Sequence, residues 1–256
     1  MKKNKKQVVG ILGYGEIGSA MARICREAGY KILVRELDYD QLVEKQIDYL
    51  HVNIPEKNND KFVDVVVKTI KETKPKLTII NSSVTPGTTR KIHKITKLPI
   101  VHSPVIGVHP YLYRSIKNHF AKIIGSVNAE SLNLAKKHFR ELGLEVEVYD
   151  KAENSEVAKL LDLVYYAWNI IFCKWMSEVS QKLKLNFDQV YTRHNEIYNQ
   201  GYRKLRSNVV RPILKPIPGP IGGHCTVEDT LLFDKFYKNR FTKFILKENE
   251  KYKKEK

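Results

Sequence analysis

The chain is 256 residues long, 42% hydrophobic and 29% charged, with a formal net charge of +17. That composition belongs to a folded globular protein and excludes a disordered chain, and no apolar run is long enough to predict a membrane-spanning helix. Three cysteines, Cys25, Cys173 and Cys225, are odd in number and far apart, which argues for a reducing, cytoplasmic compartment and against a disulfide framework. The basic ends carry six of the positive charges and leave +11 on the body. A lysine-rich surface that keeps the protein soluble accounts for this charge. A basic body also attracts phosphates, nucleic acid or acidic partners, yet neither zinc-finger spacing nor an RNA-binding aromatic signature accompanies it.

The basic opening lacks the apolar stretch and cleavage site of a secretory signal. Residues 7–12 follow it as a predicted strand, then a glycine turn and a helix over 16–28 that Gly29 ends. Further strands are predicted over 31–35, 49–53 and 77–81, with an amphipathic helix over 61–73. Strands over 100–103 and 122–126, a helix over 129–142 and a strand over 145–149 complete this half. Short β-branched runs alternating with helical patterns mark a parallel sheet with crossover helices. The fold class expected is therefore α/β: an N-terminal Rossmann, doubly wound parallel sheet over 1–150, then a mostly helical domain over 151–256. The second half opens with a long helix over 154–183, apolar on most faces at Leu160, Leu161, Leu163, Val164, Ile170, Ile171 and Phe172. Such a helix has to be covered, by its own domain or by a second copy of the chain, so a homodimer is expected. Helix continues over 187–205, four prolines and three glycines make 211–223 a loop, and one last helix is predicted over 227–246.

Gly13-Tyr14-Gly15-Glu16-Ile17-Gly18 follows a strand and opens a helix. The first glycine permits the tight turn, the second lets a pyrophosphate approach the backbone, and the third allows close helix packing. The helix N-terminus offers free N–H groups to the anion. Glu36 stands 18 residues beyond Gly18, where a carboxylate accepts from both ribose hydroxyls and repels a 2′-phosphate. NAD is the cofactor this predicts, although the adjacent Arg35 blurs the preference over NADP. Gly222-Gly223-His224-Cys225 precedes a helix, and a thiol at a helix N-terminus is acidified by the dipole and free N–H groups. Cys225 is accordingly a candidate nucleophile, with a structural role as the alternative. Cys25 and Cys173 lie in apolar helical patterns and read as core. Lys159 has two readings, a surface pair with Glu156 one turn earlier or a partly buried lysine with a task. His102 and His109 flank a proline-containing turn after a strand; either could face the cofactor site, and a satisfied loop histidine is the favoured reading. Histidines and carboxylates show no metal-ligand spacing, so no metal is expected.

Taken together these motifs resemble the nucleotide-sugar 6-dehydrogenases, the UDP-glucose and UDP-N-acetylmannosamine dehydrogenase family. The resemblance runs in order through most of the chain. Gly13, Tyr14, Gly15, Glu16, Ile17, Gly18 and Glu36 are similar to the family's NAD site, and His51-Val52-Asn53-Ile54-Pro55 to its third-strand end, which adds Asn53 and Pro55 to the cofactor contacts. Ser82-Ser83-Val84-Thr85-Pro86-Gly87-Thr88 is similar to the family's Ser-Thr-Val-Pro-x-Gly-Thr stretch. Ser83 stands at the threonine that helps position the reactive water, and counts among the cofactor contacts too. Residues 155–161 look like the start of the central helix, with Lys159 at the active-site lysine. Pro218-Gly219-Pro220-Ile221-Gly222-Gly223-His224-Cys225 is close to the motif that ends in the catalytic cysteine, and Asp229 matches the active-site aspartate. The resemblance implies oxidation of a primary alcohol to a carboxylate in two hydride transfers, with Cys225 as nucleophile, Lys159 as oxyanion stabiliser and Asp229 as supporting acid or base.

The departures are specific. A family glutamate that assists hydrolysis is replaced within Ser103-Pro104-Val105, and the helix asparagine one turn after the lysine by Leu163. Lys174-Trp175 stand near the place of an Asn-Glu pair, and the family's second Rossmann-like domain, which helps hold the substrate nucleotide, is not found before Lys256. The expected substrate is therefore a small molecule, a sugar or phosphorylated metabolite, with a nucleotide sugar as one form of it. Two alternatives remain open: a β-hydroxyacid-type dehydrogenase with Lys159 as the main acid/base, and a non-catalytic NAD-binding protein with a basic partner-binding surface.

Overall fold

Strand β1 (Val8–Leu12) is a β-branched run buried over most of its length, as the central strand of a sheet covered on both faces must be. The computed structural model describes residues 7–253 of the chain, without the side chain of His224. Two compact units result, Met1–Lys159 and Leu160–Lys256.

In the first unit, β1 leads through the glycine turn into α1 (Glu16–Glu27), then β2 (Lys31–Glu36), a short β3 (Tyr39–Asp40) and β4 (Tyr49–Val52). Helix α2 (Asn59–Thr73), β5 (Leu77–Ile80), α3 (Thr88–Thr96) and β6 (Ile100–His102) follow. The short α4 (Leu112–Arg114) runs on as a π-helical turn over Ser115–His119, and β7 (Lys122–Ser126), α5 (Ala129–Glu141) and β8 (Val146–Tyr149) complete the unit. The eight strands lie in the order β3-β2-β1-β4-β5-β6-β7-β8. Neighbours are parallel except at β2–β3 and β6–β7, so the sheet is the mostly parallel, doubly wound kind that was expected. The chain goes from β1 outward to β2 and returns to β4 on the other side of β1. Such a reversal opens a crevice outside the carboxyl ends of the two strands, where ligands bind in folds of this kind.

Alternating side chains divide the core between the two faces. Val9, Ile11, Met21, Ile24, Ile79 and Phe139 pack with α1 and α5 on one side. Leu50, Val52, Phe62, Val66, Ile70 and Ile92 pack with α2 and α3 on the other. Asparagine caps start α2 and α5: Asn58 accepts from Lys61 N at 3.0 Å and Asn128 from Ser131 N at 2.8 Å.

The second unit takes up α6 (Ala152–Lys182) from Leu160 onward. A π-helical stretch (Asp188–Arg193) leads into α7 (His194–Leu205), and the proline- and glycine-rich residues 211–223 form a loop as expected. The single predicted last helix is instead two, α8 (His224–Phe236) and α9 (Arg240–Tyr252). Asn239 divides them: its backbone is extended and its Oδ1 accepts from Phe241 N and Thr242 N, a helix N-cap where the apolar periodicity alone had run straight through. The core of this unit gathers Val164, Ala167, Ile171, Ile221, Ile245 and Tyr252. Within the single chain α6 is covered on one side only, since Leu161, Tyr165, Tyr166, Phe172 and Trp175 are exposed. Among the described residues no helix is long and apolar enough to cross a membrane.

Candidate functional site

The carboxyl edge of the sheet is shaped around its glycines. Gly13 ends β1 with φ +87°, and a Cβ there would lie 2.9 Å from Ile54 Cγ2. A Cβ on Gly18 would meet the Gly13 carbonyl oxygen at 1.9 Å, so only glycine lets α1 pack this closely on the turn. Gly15 faces open space and caps α1 without a side-chain acceptor, which leaves the first N–H groups of the helix directed outward. Ile17 anchors the first turn against the core, while Glu16 turns to His109. His109 thus reaches the glycine loop after all, whereas His102 is buried.

Glu36, the last residue of β2, accepts from Tyr14 N at 2.6 Å and from Leu37 N at 3.1 Å. Beside it a pocket of about 550 Å³ is lined by Tyr14, Gly15, Val34, Glu36, Tyr39 and Gln41. Arg35, next to Glu36, is engaged by other side chains. Its guanidinium is held by Asp40 and Glu72, each at 2.8 Å, and by Thr69 at 3.0 Å, all on the side of α2 and the β2–β3 turn. At the end of β4, Asn53 donates to His51 O and accepts from Asn81 Nδ2, and Pro55 is exposed just beyond. Ser83 is half-buried after β5, in a loop braced by Glu56, whose carboxylate accepts from Thr85 N at 2.9 Å.

Lys159 stands half-buried in the part of α6 that belongs to the first unit. The surface pair with Glu156 does not form. Glu156 is fully buried and accepts from Gly87 N, Thr89 N and Thr89 Oγ1, at 2.6, 2.9 and 2.6 Å. Burial raises its carboxyl above the usual range despite these donors. The start of α6 sits directly on β7, where a Cβ on Gly125 would strike Ser155 Oγ at 2.1 Å. His102 bonds to the same Ser155 Oγ at 2.7 Å and to Ser82 O at 3.1 Å. Burial pushes His102 down to about 3, and the charge of Lys159 is among the smaller causes.

Cys225 is the second residue of α8, behind Gly223 at φ +76°. That is the helix N-terminal placement the motif predicted, and the thiol is half-buried. The side chain of His224, expected to assist it, lies outside the described residues. Asp229 follows one helical turn later, nearly buried. Cys25 and Cys173 are fully buried, as expected, and burial raises both thiols, Cys25 to about 12. The residues thus divide by unit: the glycine loop, Glu36, Asn53, Pro55, Ser83 and Lys159 in the first, Cys225 and Asp229 in the second.

Sequence reasoning missed two buried groups. Lys122 donates to Ser103 O at 2.6 Å, Pro104 O at 3.1 Å and Asn81 Oδ1 at 3.4 Å. Burial, helped by Lys159, brings its ammonium down to about 7. A lysine at the start of an apolar strand was the only signal. Cys25, His51 and His138 bring their ligand-type atoms within 4.8 Å of one another, all buried. Asn81 Nδ2 donates to His51 Nδ1 at 3.1 Å, so the His51 proton sits on Nε2 and points at His138 Nε2, 3.0 Å away. His138 then carries its own proton on Nδ1, which has no partner among the described residues. Each ring is spoken for by a proton, and the trio reads as a neutral core contact, with His138 stacked on Tyr49 at 3.9 Å.

No protein-family model matches the sequence, and no curated protein does. Solved structures do. A UDP-D-ManNAc dehydrogenase from Pyrococcus horikoshii matches with a TM-score of 0.79 at 19% identity, over 96% of this chain and 69% of that one. The UDP-N-acetyl-mannosamine dehydrogenase of Staphylococcus aureus matches at 0.75 and 16%, over 96% and 68%. A 3-hydroxyisobutyrate dehydrogenase from Mycobacterium tuberculosis matches at 0.67 and 14%, over 97% and 94%. At these identities the shared property is the fold, and it is the fold that the sequence motifs implied.

Proposed function

We propose that this chain is an NAD-dependent oxidoreductase of the nucleotide-sugar dehydrogenase kind, oxidising a CH–OH group of a nucleotide sugar or another phosphorylated small molecule. The open N-terminus of α1 carries the reading: a side-chain-free cap at Gly15, with Glu36 at the neighbouring strand end. These residues fit NAD. The N–H groups suit a pyrophosphate, the pocket beside Glu36 suits an adenosine, and the carboxylate suits its ribose while opposing a 2′-phosphate. Calorimetry with NAD and NADP tests this, and failure to bind either would end it. Glu36→Ala is expected to weaken NAD binding by about 10- to 100-fold, since it removes charge-assisted hydrogen bonds to the ribose.

Bound NAD would supply the hydride acceptor. The protein's own groups then divide the work. Lys159 stabilises negative charge on the substrate oxygen, and Asp229 gives or takes the proton. Once the alcohol has lost a first hydride to NAD and become the aldehyde, the Cys225 thiolate would add to its carbonyl carbon, and the thiohemiacetal would lose a second hydride, to a second NAD, to give a thioester. Water positioned with the help of Ser83 cleaves the carbon–sulfur bond, releasing carboxylate and thiol. Val105, buried where the family has its hydrolytic glutamate, provides no base, so thioester hydrolysis is expected to be the slow step.

The near-complete mutual coverage with the 3-hydroxyisobutyrate dehydrogenase supports a second reading. In that reading a small hydroxy acid is the substrate, Lys159 is the acid/base and Cys225 is structural.

The exposed aromatic face of the second unit supports self-association. Leu161, Tyr165, Trp168, Phe233, Tyr237 and Phe241 line a groove of about 390 Å³ with almost no polar surface, and an apolar patch of this kind marks an interaction site. Light scattering at micromolar concentration is expected to give a homodimer, and Tyr165→Arg to shift it to monomer. A monomeric wild-type protein would overturn the assignment.

A further inference from the structure

The loop that delivers Cys225 is held from two helices. Lys174, on α6 and only 5% exposed, directs its ammonium at the carbonyl oxygens of Ile217 and Gly219, the latter at 2.7 Å. The same ammonium lies 4.8 Å from the centre of the Tyr252 ring on α9, and the Tyr252 hydroxyl donates to Glu178, one turn further along α6. From the other side Asn249, also on α9 and nearly buried, accepts from Ile221 N at 2.7 Å. Ile221 itself is packed into the core of the unit. Between these grips the backbone turns through Gly219 at φ +81° and Gly223 at φ +76°, and α8 begins immediately afterwards.

A lysine in this position is costly to bury, and its placement needs a reason. A single ammonium bridging two loop carbonyls converts a proline- and glycine-rich segment without regular hydrogen bonding into one conformation. The segment matters because its end sets the direction in which the first N–H groups of α8 point. Those N–H groups are what a thiolate on the second residue of the helix draws on.

We propose that Lys174 is a positioning residue for Cys225, holding residues 217–223 so that α8 starts with its N–H groups gathered around the thiol. The proposal rests on the reading of Cys225 as a reactive thiolate and deepens it. It gives a task to a residue that departs from the family pattern. Lys174 does not touch the substrate; it acts through the loop.

The test has two readouts on the intact protein. One is the rate of Cys225 alkylation by iodoacetamide from pH 5.5 to 9, with Cys25 and Cys173 protected by burial. The other is amide hydrogen exchange of the peptide covering 217–223. Lys174→Met keeps the length of the side chain and removes its donors. It is expected to speed exchange in the loop and to slow alkylation at neutral pH by about tenfold, with the alkylation profile displaced about one unit to higher pH. Lys174→Arg keeps charge and donors, and is expected to recover most of the rate. If Lys174→Met does not fold, the arginine variant and Asn249→Ala, which loosens the other grip, carry the same comparison. Faster exchange with an unchanged alkylation profile would overturn the proposal, leaving Lys174 a purely structural clamp. Unchanged exchange and alkylation would overturn it as well. Wild-type Cys225 alkylating with the profile of an ordinary thiol would instead sink the nucleophile reading itself, whatever the state of the loop.

Discussion

Cys225→Ser is expected to lower turnover by on the order of a thousandfold or more, with NAD affinity unchanged. The hydroxyl keeps the size of the thiol but cannot ionise near neutrality, so capture of the aldehyde fails while the cofactor edge in the first unit is untouched. On the proposed reading of Cys225, its place on the second residue of α8 makes the effect large, because N–H groups at a helix N-terminus favour a thiolate over a thiol and leave a serine hydroxyl un-ionised. The measurement is NADH formation with a panel of alcohols, aldehydes and nucleotide sugars, alongside calorimetric NAD binding. Iodoacetamide is expected to inactivate the wild-type protein by modifying one thiol, since the other two are fully buried. Full activity in Cys225→Ser would transfer the acid/base chemistry to Lys159, and Lys159→Met would then be the decisive variant.

The second large effect is loss of stability in mild acid. Burial pushes His102 and His138 each down to about 3, and burial with the nearby charges holds His51 well below its ordinary value. An unfolded histidine titrates near 6.5. Below that pH the unfolded chain binds protons that the native state refuses, so this stability is complete above about pH 6.5 and drains away as the pH falls toward 3. Each histidine contributes a limiting slope of about 1.4 kcal/mol per pH unit, and three together about 4. Against a total of about 5–15 kcal/mol for a typical domain, the first unit is expected to unfold by about pH 4–5. Lys122 works in a different window: its folded value of about 7 lies below the ordinary lysine value, so stability rises from pH 7 to about 10.5 and is flat in acid. Glu156, whose carboxyl is raised, opposes the acid loss by one group. Urea midpoints at half-unit steps from pH 7 to 5 measure the slope, and His102→Gln is expected to remove about a third of it. A midpoint independent of pH over that range would mean that the three rings accept protons without unfolding.

Much of the fold was legible because it rests on local periodicity. The β-branched runs of β1, β4 and β5 and the glycine loop announced a parallel sheet with a dinucleotide-type edge, and each lies where it was expected. Short elements without a strong period were not legible. Helix α3, with its threonines at both ends, and the two-residue β3 gave no signal above that of loop. The break at Asn239 was not read, because the apolar pattern runs through it on both sides. On the site, the motif residues were legible because glycine and cysteine do their work through backbone geometry that neighbouring residues specify. Arg35, Glu156 and Lys122 were not, since their settings depend on partners brought in by other elements.

The sequence by itself determined the order of the longer strands and helices, the open N-terminus of α1, the acid at Glu36 and the thiol at the head of α8. Each follows from residues within a few positions of one another, where steric and hydrogen-bonding rules are local. Only the tertiary structure decided that Arg35 is held by Asp40 and Glu72, that Glu156 serves the Thr89 turn instead of Lys159, and that β7 runs antiparallel to β6. It alone set Lys174 against the carbonyls of the Cys225 loop. A charged side chain commits to whichever partner the fold brings within about 3 Å once water is gone, and no local pattern states which partner that will be.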